Sequence, residues 1–516
     1  MSAKLFKSTA LTGGMTLISR ISGLVRDVAF ANLIGASAGV AADAFYVAFR
    51  IPNFFRRIFG EGAFAQAFVP VMTEHKDKKS ATQARLFVDR MAGTLGLALF
   101  VTSLVGVLAA PWIITVLASG FIDEPDKFDL SVQLLRITFP YLFFISMVSM
   151  AAGILNTYGR FGAAAFTPVL LNLCLITAAL IFAPLMDEPV IALAWGVFAA
   201  GLMQLLFQIP FLRKTAMLPR PRLRPPHTGV SKVLRLMGPA IIGSSAAQVN
   251  MLVNTWLASF LMTGGVSWLF YSDRLMEFPL GVFGIALATV ILPSLSRKHA
   301  RQSKQAFSDL LDWALRWAFI IALPATVGLI VLAGPLLTTL FQYGKFSPYD
   351  VKMASQSLMA FAVGLPGFIL VKVLAPGFYA RQNTRTPAKI AVVAMVVNVI
   401  LSLALFLPLA HAGLALAVSI AAILNAGLLY GYLRRERIFM PLPGWWGFLG
   451  RLVVACVAMG SVLLWGSGDL GVWLNASIFE RVGRLALWVA VGVGTYFLTI
   501  RVLGINLKGL IASKPQ

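Results

Sequence analysis

Apolar stretches long enough to cross a membrane follow one another along almost the whole chain. Each runs for about 20 residues, which is the length of a helix that spans the hydrocarbon core of a bilayer. Of the 516 residues, 59% are hydrophobic and only 12% are charged. The longest polar gaps, at residues 74–90 and 213–232, are much shorter than the roughly 50 residues that an independent soluble domain needs. The pattern therefore predicts an all-α, polytopic membrane protein.

The apolar runs predict about fourteen spanning helices. Their expected positions are near residues 11–36, 42–73, 91–118, 133–158, 163–185, 189–212, 230–262, 266–296, 313–341, 351–381, 386–409, 411–433, 446–467 and 483–503.

Basic residues are concentrated in every second connection between these helices. Lys78, Arg222 and Arg301 lie in such connections. Asp126 lies in an acidic connection, and Lys345 lies in one that is nearly free of basic residues. Because basic loops remain in the cytoplasm, both termini are expected to be cytoplasmic. This distribution also accounts for the net charge of +23, and without interleaved aromatic residues the basic loops do not indicate a nucleic-acid partner.

An internal repeat sets the predicted architecture. The segment 46–70 resembles the segment 271–293, and a Tyr-x-Arg motif at 158–160 recurs at 379–381 with a similar spacing. A parallel repeat of this kind is common in transporters, whose cargo site lies between the two halves. We predict two six-helix lobes around a central cavity and two extra C-terminal helices, with domains at residues 1–224, 225–440 and 441–516.

Charged residues interrupt the apolar stretches at matching places in the two lobes. They are Arg20, Arg26, Asp27, Asp43, Arg50, Arg56, Arg57 and Glu61 in the first lobe, and Asp273, Arg274 and Glu277 in the second. A charge at the bilayer centre costs about 2.5–3.5 kcal/mol on insertion scales. Two explanations remain open: the charges pair with one another to join helices, or the clustered guanidinium groups bind an anion such as a phosphate.

Several motifs together resemble the MurJ (MviN) family of bacterial lipid II flippases. They include "SRISGLVRD", "FRIPNFFRRIFGEGAFAQAFVPV", "YSDRLMEFPLGVFGIALATVILPSLS" and "VKVLAPGFYARQNTRTP", and the resemblance covers nearly the whole chain. It implies the fold of the multidrug/oligosaccharidyl-lipid/polysaccharide exporter superfamily. It also implies that the two C-terminal helices line a groove for a polyprenyl tail, and we expect small residues such as Ala455, Gly460 and Gly492 to face that groove.

The resemblance further implies roles for the charged residues. Arg26, Arg56 and Arg274 are expected to bind a lipid diphosphate, with Arg20 at the base of the cavity. The residues expected to line or gate the cavity are Asp27, Asp43, Arg57, Glu61, Asp273, Glu277 and Lys372. Two alternatives stay open: Arg57 takes the place of Arg56, or Lys372 snorkels to the membrane interface.

The implied function is transfer of lipid II, an undecaprenyl diphosphate that carries a disaccharide-pentapeptide, from the cytoplasmic to the periplasmic leaflet of the bacterial inner membrane by alternating access. The implied partners are lipid II, the phospholipid bilayer and cell-wall synthesis proteins. No cofactor or metal ion is expected, and the energy source is the membrane potential or a monovalent cation.

Two other functions are compatible with parts of the sequence. A transporter of the same superfamily would export another polyprenyl-diphosphate-linked glycan, or a drug in exchange for a cation. A membrane glycosyltransferase would need acid or base groups beside a water-facing loop, but the loops are short and the four histidines are far apart in the sequence. The sequence therefore favours a transporter over an enzyme.

Overall fold

A computed structural model describes residues 3–57, 63–223, 227–284, 291–292, 294–296 and 303–507. Within these ranges the regular structure is helical, with no strand. Nine helical segments of the described chain are long and apolar enough to cross a membrane. Glu61 and Arg301, which the sequence singled out, lie outside the described residues.

The helices are numbered here in chain order. They are α1 (Ala3–Ile34), α2 (Ala41–Phe55), α3 (Ala63–Lys78), α4 (Ala81–Leu108), α5 (Ala110–Leu117), α6 (Pro125–Thr138), α7 (Tyr141–Thr157), α8 (Phe161–Thr177), α9 (Pro189–Lys214), α10 (Thr228–Ser259), α11 (Gly265–Pro279), α12 (Lys304–Val331), α13 (Ala333–Phe341), α14 (Pro348–Tyr379), α15 (Arg385–Arg435), α16 (Trp445–Ser467), α17 (Leu470–Leu474) and α18 (Ile478–Val502).

The observed helices agree with the predicted series of spanning segments. Helix α15 is too long for one crossing, since 51 residues at 1.5 Å each extend far beyond a hydrocarbon core of ~30 Å. At Ala410 its backbone turns to φ 47° and ψ −128°, which separates the predicted helices 386–409 and 411–433. Several helices also begin earlier than predicted. For example, α4 begins at Ala81, because Ser80 accepts a hydrogen bond from the backbone N–H of Gln83 and caps a helical turn that is too polar to resemble a membrane span.

Two helices of the repeat share a local distortion. In α2, Pro52 precedes a π-helical turn at residues 56–57, and in α11, Pro279 precedes a π-helical turn at Leu280–Gly284. A proline removes one backbone hydrogen bond and its ring displaces the preceding turn, and π turns are frequent at functional sites. The two distortions lie at matching positions of the repeat; the first includes Arg56, and the second begins six residues after Arg274.

The chain forms two compact units. The first contains Met1–Val266 and Tyr343–Lys345, and the second contains Ser267–Gln342 and Phe346–Gln516. Helix α10 therefore packs with the N-terminal helices. The sequence-based lobe boundaries describe the duplication and remain a prediction.

In the first unit the segment after α9 is hydrogen-bonded to α4. The buried carboxylate of Asp89 accepts a hydrogen bond from the backbone N–H of Arg220 at 2.7 Å, and the carbonyl oxygen of Asp89 accepts one from the N–H of Arg222 at 3.0 Å. Gly93 is required beneath this segment, because a Cβ atom there would lie 2.3 Å from the carbonyl oxygen of Arg222. Nearby, the ammonium group of Lys232 lies 2.6 Å from Glu74 and holds the pKa of that carboxyl below its usual value.

In the second unit the two C-terminal helices are packed against α12. The Tyr496 hydroxyl of α18 donates to the carbonyl oxygen of Ile320 at 2.9 Å. At the start of α16, the buried carboxylate of Asp312 accepts from the indole N–H of Trp445 at 2.7 Å and from the guanidinium Nε of Arg316 at 2.6 Å. Polar contacts therefore hold the helix pair to α12 at two levels, Asp312 and Ile320, about two helical turns apart.

Candidate functional site

Arg26 and Asp27 form a buried ion pair on α1. Asp27 is fully buried and Arg26 is 6% exposed. One oxygen of Asp27, Oδ1, accepts from Arg26 Nη2 at 2.6 Å and from Arg26 Nε at 2.9 Å. The pair explains how a charged arginine is retained in an apolar segment, since an intramembrane charge is stable only when it is paired or solvated.

A third residue, Asn172 on α8, completes this arrangement. Its side-chain oxygen accepts from Arg26 Nη1 at 3.0 Å. Its amide nitrogen donates to the carbonyl oxygen of Ser19 at 3.0 Å and to the hydroxyl of Ser22 at 2.9 Å. Arg20, expected at the base of the cavity, lies half-buried on the same helix, two turns before Asp27.

Asp43 lies in a second charged cluster, at the N-terminal end of α2. Its Oδ2 atom lies 3.5 Å from the ammonium nitrogen of Lys127 and accepts from the backbone N–H of Gly264 at 2.8 Å. The ammonium group also lies 3.4 Å from Glu124 and 4.5 Å from the centre of the Phe121 ring. Lys127 and Asp43 are 0% and 1% exposed in their side chains, so this is a fully desolvated pair.

The other α2 charges have separate surroundings. Arg50 donates to the hydroxyl of Thr255 on α10 at 3.0 Å, and Arg56 donates through Nε to the side-chain oxygen of Asn53 at 3.1 Å. Arg56 is half-buried, whereas Arg57 is exposed. The structure thus distinguishes the two adjacent arginines by environment and gives Arg56 the more enclosed position.

In the second unit, Arg274 pairs within its own helix. Its Nη1 atom lies 3.3 Å from Glu277 Oε2, and the guanidinium carbon lies 5.4 Å from the centre of the Phe270 ring. The side chains of Arg274 and Glu277 are 37% and 46% exposed. Solvent access leaves this pair much weaker than the buried pair on α1.

Helix α11 is held in place by α14. The indole N–H of Trp268 donates to Asp350 at 2.8 Å, and the Ser272 hydroxyl donates to the carbonyl oxygen of Ala354 at 2.7 Å. These contacts fix the part of the helix that carries Asp273, which is half-buried, and Arg274. Lys372 on α14 is exposed, and snorkelling remains open for it.

The structure brings some of the sequence-predicted residues together and leaves others apart. Arg274 joins Glu277, as their three-residue spacing on a helix permits. Arg26 joins Asp27 although adjacent residues of a helix point in different directions. Asp43 pairs with Lys127 rather than with an arginine of its own helix. Sequence reasoning missed Lys127 and Asn172, because the contacts of both depend on chain segments far apart in sequence.

The second unit also contains an apolar cavity of about 650 Å³. It lies between α12, α14, the last turns of α15 and the beginning of α16. Its walls include Phe319, Leu370 and Trp445, and Arg434 is the charged residue of the lining. A cavity of this size and polarity suits an apolar ligand.

The small residues expected to face a lipid groove are packing residues instead. Ala455 is fully buried. A Cβ atom at Gly460 would lie 3.1 Å from Val327 of α12, and one at Gly492 would lie 3.2 Å from Leu463 of α16. These residues let the helices approach closely, as small residues commonly do in membranes, and the expectation that they face the groove is wrong.

Comparisons with known sequences point to one family. A family model described as lipid II flippase MurJ matches residues 30–482. The probable lipid II flippase MurJ of Vibrio cholerae serotype O1 is 45% identical over 99% of both chains. The lipid II flippase MurJ of Burkholderia cenocepacia is 43% identical over 97% of this chain and 98% of its own.

Solved structures show the same fold. A lipid II flippase MurJ in an inward closed conformation matches with a TM-score of 0.81 and 26% identity, over 97% of this chain and 100% of that chain. A multidrug resistance MATE family transporter of the MOP superfamily, in an inward-facing conformation, matches with a TM-score of 0.66 and 16% identity, over 81% and 95% of the two chains. The second likeness concerns the fold alone.

Proposed function

This chain belongs to the MurJ family of lipid II flippases, and we propose that it moves lipid II from the cytoplasmic to the periplasmic leaflet of the bacterial inner membrane by alternating access. The observation that carries the proposal is the buried Arg26–Asp27 pair with its amide partner, Asn172. A headgroup with a diphosphate and two sugars cannot cross hydrocarbon unaided, because polar groups lose their hydrogen bonds there. A transporter for it needs fixed cations within the membrane.

Arg26, Arg56 and Arg274 are the proposed contacts of the diphosphate. Each has a neutral or acidic neighbour in the empty protein: Asp27 and Asn172 for Arg26, Asn53 for Arg56, and Glu277 for Arg274. Leaving a buried charge without any partner is strongly unfavourable. These neighbours therefore stabilise the empty carrier, and a diphosphate that adds to or replaces them keeps the arginines paired during loading.

The remaining charged residues have proposed supporting roles. Arg20 contributes positive charge at the base of the cavity, and Asp43, held by Lys127 and Gly264, contributes to a gate at the predicted periplasmic side. Glu61, Asp273, Arg57 and Lys372 are proposed to line the path of the headgroup.

The polyprenyl tail is proposed to stay in an apolar environment beside the C-terminal helices. The apolar cavity next to the start of α16 and the exposed valines and leucines of α16 and α18 support this assignment. A tail that passes from lipid to an apolar protein surface gains no hydrophobic transfer energy, so side-chain packing alone holds it there. The arginines therefore supply most of the affinity, and the apolar surface keeps the tail out of the polar path.

The energy source and the cellular partners are also proposals. The membrane potential is sufficient in scale, since it supplies ~2.3 kcal/mol per elementary charge for each 100 mV, and a monovalent cation is the other source. Cell-wall synthesis proteins that use lipid II are the proposed partners. Another polyprenyl-diphosphate-linked glycan is the alternative cargo, because the same arginines would bind its diphosphate.

Depletion of the protein in a growing cell tests the function. We expect lipid II to accumulate in the cytoplasmic leaflet, measured as protection from an enzyme that cleaves it only from the periplasmic side. Unchanged access of that enzyme to lipid II, together with accumulation of a different lipid-linked glycan, would identify the alternative cargo.

Arginine variants test the proposed site. Arg26→Ala, Arg56→Ala and Arg274→Ala should each fail to support growth of the depleted strain while still being inserted, because each removes a charge that the diphosphate needs. Lysine at these positions should restore growth only in part, since it keeps the charge but loses the bidentate geometry. If all three alanine variants support growth at normal protein levels, the assignment of the diphosphate to these arginines is wrong.

A further inference from the structure

We infer that Asn172 is a positioning residue for the headgroup arginine: it holds the Arg26 guanidinium in an orientation that leaves donors available to a diphosphate. The inference rests on the proposed function of Arg26. It concerns a residue on α8 that no sequence motif singled out and that contacts α1 through three hydrogen bonds.

The orientation of the Asn172 amide is fixed by its neighbours. The Ser19 carbonyl oxygen can only accept, so the amide nitrogen must face it, at 3.0 Å. The Ser22 hydroxyl donates its own hydrogen to that same carbonyl at 3.1 Å and therefore accepts from Asn172 at 2.9 Å. The side-chain oxygen of Asn172 is consequently directed at Arg26, whose guanidinium has only donors. Asn172 is 5% exposed, so water does not compete strongly for these bonds.

The donors of Arg26 can be counted in the same way. Asp27 uses Nε and one N–H of Nη2, and Asn172 uses one N–H of Nη1. A guanidinium has five N–H groups, so the bonds within the described residues leave one N–H on each of the two terminal nitrogens. Two N–H groups on neighbouring nitrogens are the arrangement with which arginine binds a phosphate bidentately.

A neutral amide suits this position better than a carboxylate. Asp27 already balances the charge of Arg26, and a second carboxylate would make the group of three residues negative and repel a diphosphate. A neutral acceptor fixes the third nitrogen without changing the local charge. Asn172 therefore restricts rotation of the guanidinium, and so reduces the entropy lost when a ligand binds.

The test is a double-mutant cycle on the full-length protein in lipid nanodiscs, with undecaprenyl diphosphate as the probe. Asn172→Leu should weaken binding about ten-fold, the loss expected for a hydrogen bond to a charged group. In the Arg26→Ala background the same substitution should cause no further loss, because the residue that it positions is gone.

Gln204→Leu is the matched control. Gln204 is a buried amide on α9 that donates to the Thr167 carbonyl oxygen of α8 at 2.9 Å. Within the described part of the chain its hydrogen bonds do not involve an arginine. Its substitution removes a comparable buried hydrogen bond, and the affinity for undecaprenyl diphosphate should stay within about two-fold of wild type.

Asn172→Asp provides a second measurement that does not depend on the leucine variant being folded. The introduced carboxylate keeps an acceptor beside Arg26 but adds negative charge, so binding should be weaker than wild type at neutral pH. Binding should recover relative to wild type as the pH falls and the introduced carboxyl is neutralised. Binding by Asn172→Asp as tight as that of wild type at neutral pH would contradict the positioning role, because the added charge would then have no effect on the headgroup site.

The outcomes separate this inference from the proposed function. If wild type binds undecaprenyl diphosphate no better than Arg26→Ala does, the proposed role of Arg26 fails. If Arg26→Ala loses binding but Asn172→Leu has the same effect in both backgrounds, or increases affinity, Arg26 remains a ligand and the positioning role of Asn172 is wrong.

Discussion

At the scale of single residues, the interior of this protein contains buried charges that are paired in different ways. Arg26 pairs with its neighbour in sequence, whereas Lys127 pairs with Asp43, which is distant in sequence. The Lys127 ammonium group also lies over the Phe121 ring at 4.5 Å, where the face of the ring attracts a cation. This set of contacts joins the beginning of α2 to the first turn of α6 and to Gly264, which precedes α11.

Lys127→Met tests how much that cluster contributes to stability. Removal of one partner of a buried ion pair typically costs about 3–5 kcal/mol, because the other charge remains buried without compensation. We therefore expect a lowered midpoint of thermal denaturation for the purified protein. The double variant Asp43→Asn with Lys127→Met should recover much of the loss, since an asparagine oxygen can still accept from the Gly264 N–H and carries no charge.

Lys232→Met is the matched control for this experiment. Lys232 also pairs with a carboxylate, but the side chains of Lys232 and Glu74 are 52% and 41% exposed, and exposed pairs contribute little. Its denaturation midpoint should stay close to that of wild type. Equal losses for Lys127→Met and Lys232→Met would mean that burial of the Lys127 cluster has no special effect.

The residue scale also shows where sequence reasoning reaches its limit. Local helical spacing permits the Arg274–Glu277 pair but does not predict that Arg26 pairs with its neighbour Asp27, although intramembrane charge alone was enough to identify all four positions. Asn172 and Lys127 were not identified, because a lone asparagine in an apolar helix and a lysine in an acidic loop have many structural explanations. Only the fold brings Asn172 to Ser19 and Lys127 to Asp43.

At the scale of helices, two departures from regular geometry lie beside the charged residues that the sequence singled out. The π turn at residues 56–57 follows Pro52 and includes Arg56, and the π turn at Leu280–Gly284 follows Pro279. The prolines are readable from the sequence, and a proline within a helix bends it. The type of turn depends on how the freed backbone groups are satisfied by neighbours, which the sequence does not specify.

The break at Ala410 gives a prediction for helix α15. A φ of 47° with a ψ of −128° is a conformation in which a Cβ atom is strained, at a cost of order 1–3 kcal/mol. Ala410→Gly should therefore stabilise the protein by about 1 kcal/mol, seen as a raised denaturation midpoint.

The control lies two residues further on. Ala412 is within the helical part of α15, where glycine is less favourable than alanine by about 1 kcal/mol. Ala412→Gly should lower the midpoint while Ala410→Gly raises it. A decrease for both variants would show that residue 410 has ordinary helical geometry in the folded protein.

At the scale of the whole molecule, the sequence was sufficient for fold class and for the series of spanning helices. Apolar length, the repeat and the basic loops are statistical properties of long segments, so they tolerate errors at single positions. The packing of α10 with the first unit was not predicted, because the duplication records ancestry and does not determine which helices pack together. The same holds for the C-terminal helices, whose small residues pack against α12 and against each other rather than lining a groove.

The orientation of the molecule in the membrane is the last prediction. The basic connections place Lys78 and Arg222 in the cytoplasm and Asp126 and Lys345 in the periplasm, and all four side chains are exposed.

Cys174 and Cys456 would first be replaced by alanine. Single substitutions Lys78→Cys, Arg222→Cys, Asp126→Cys and Lys345→Cys would then be treated with a membrane-impermeant maleimide in intact spheroplasts. We expect labelling at positions 126 and 345 only, and labelling at all four after permeabilisation, which confirms that each thiol is reactive. Labelling of Arg222→Cys from outside would require an odd number of crossings before α10 in place of the six that the apolar segments predict.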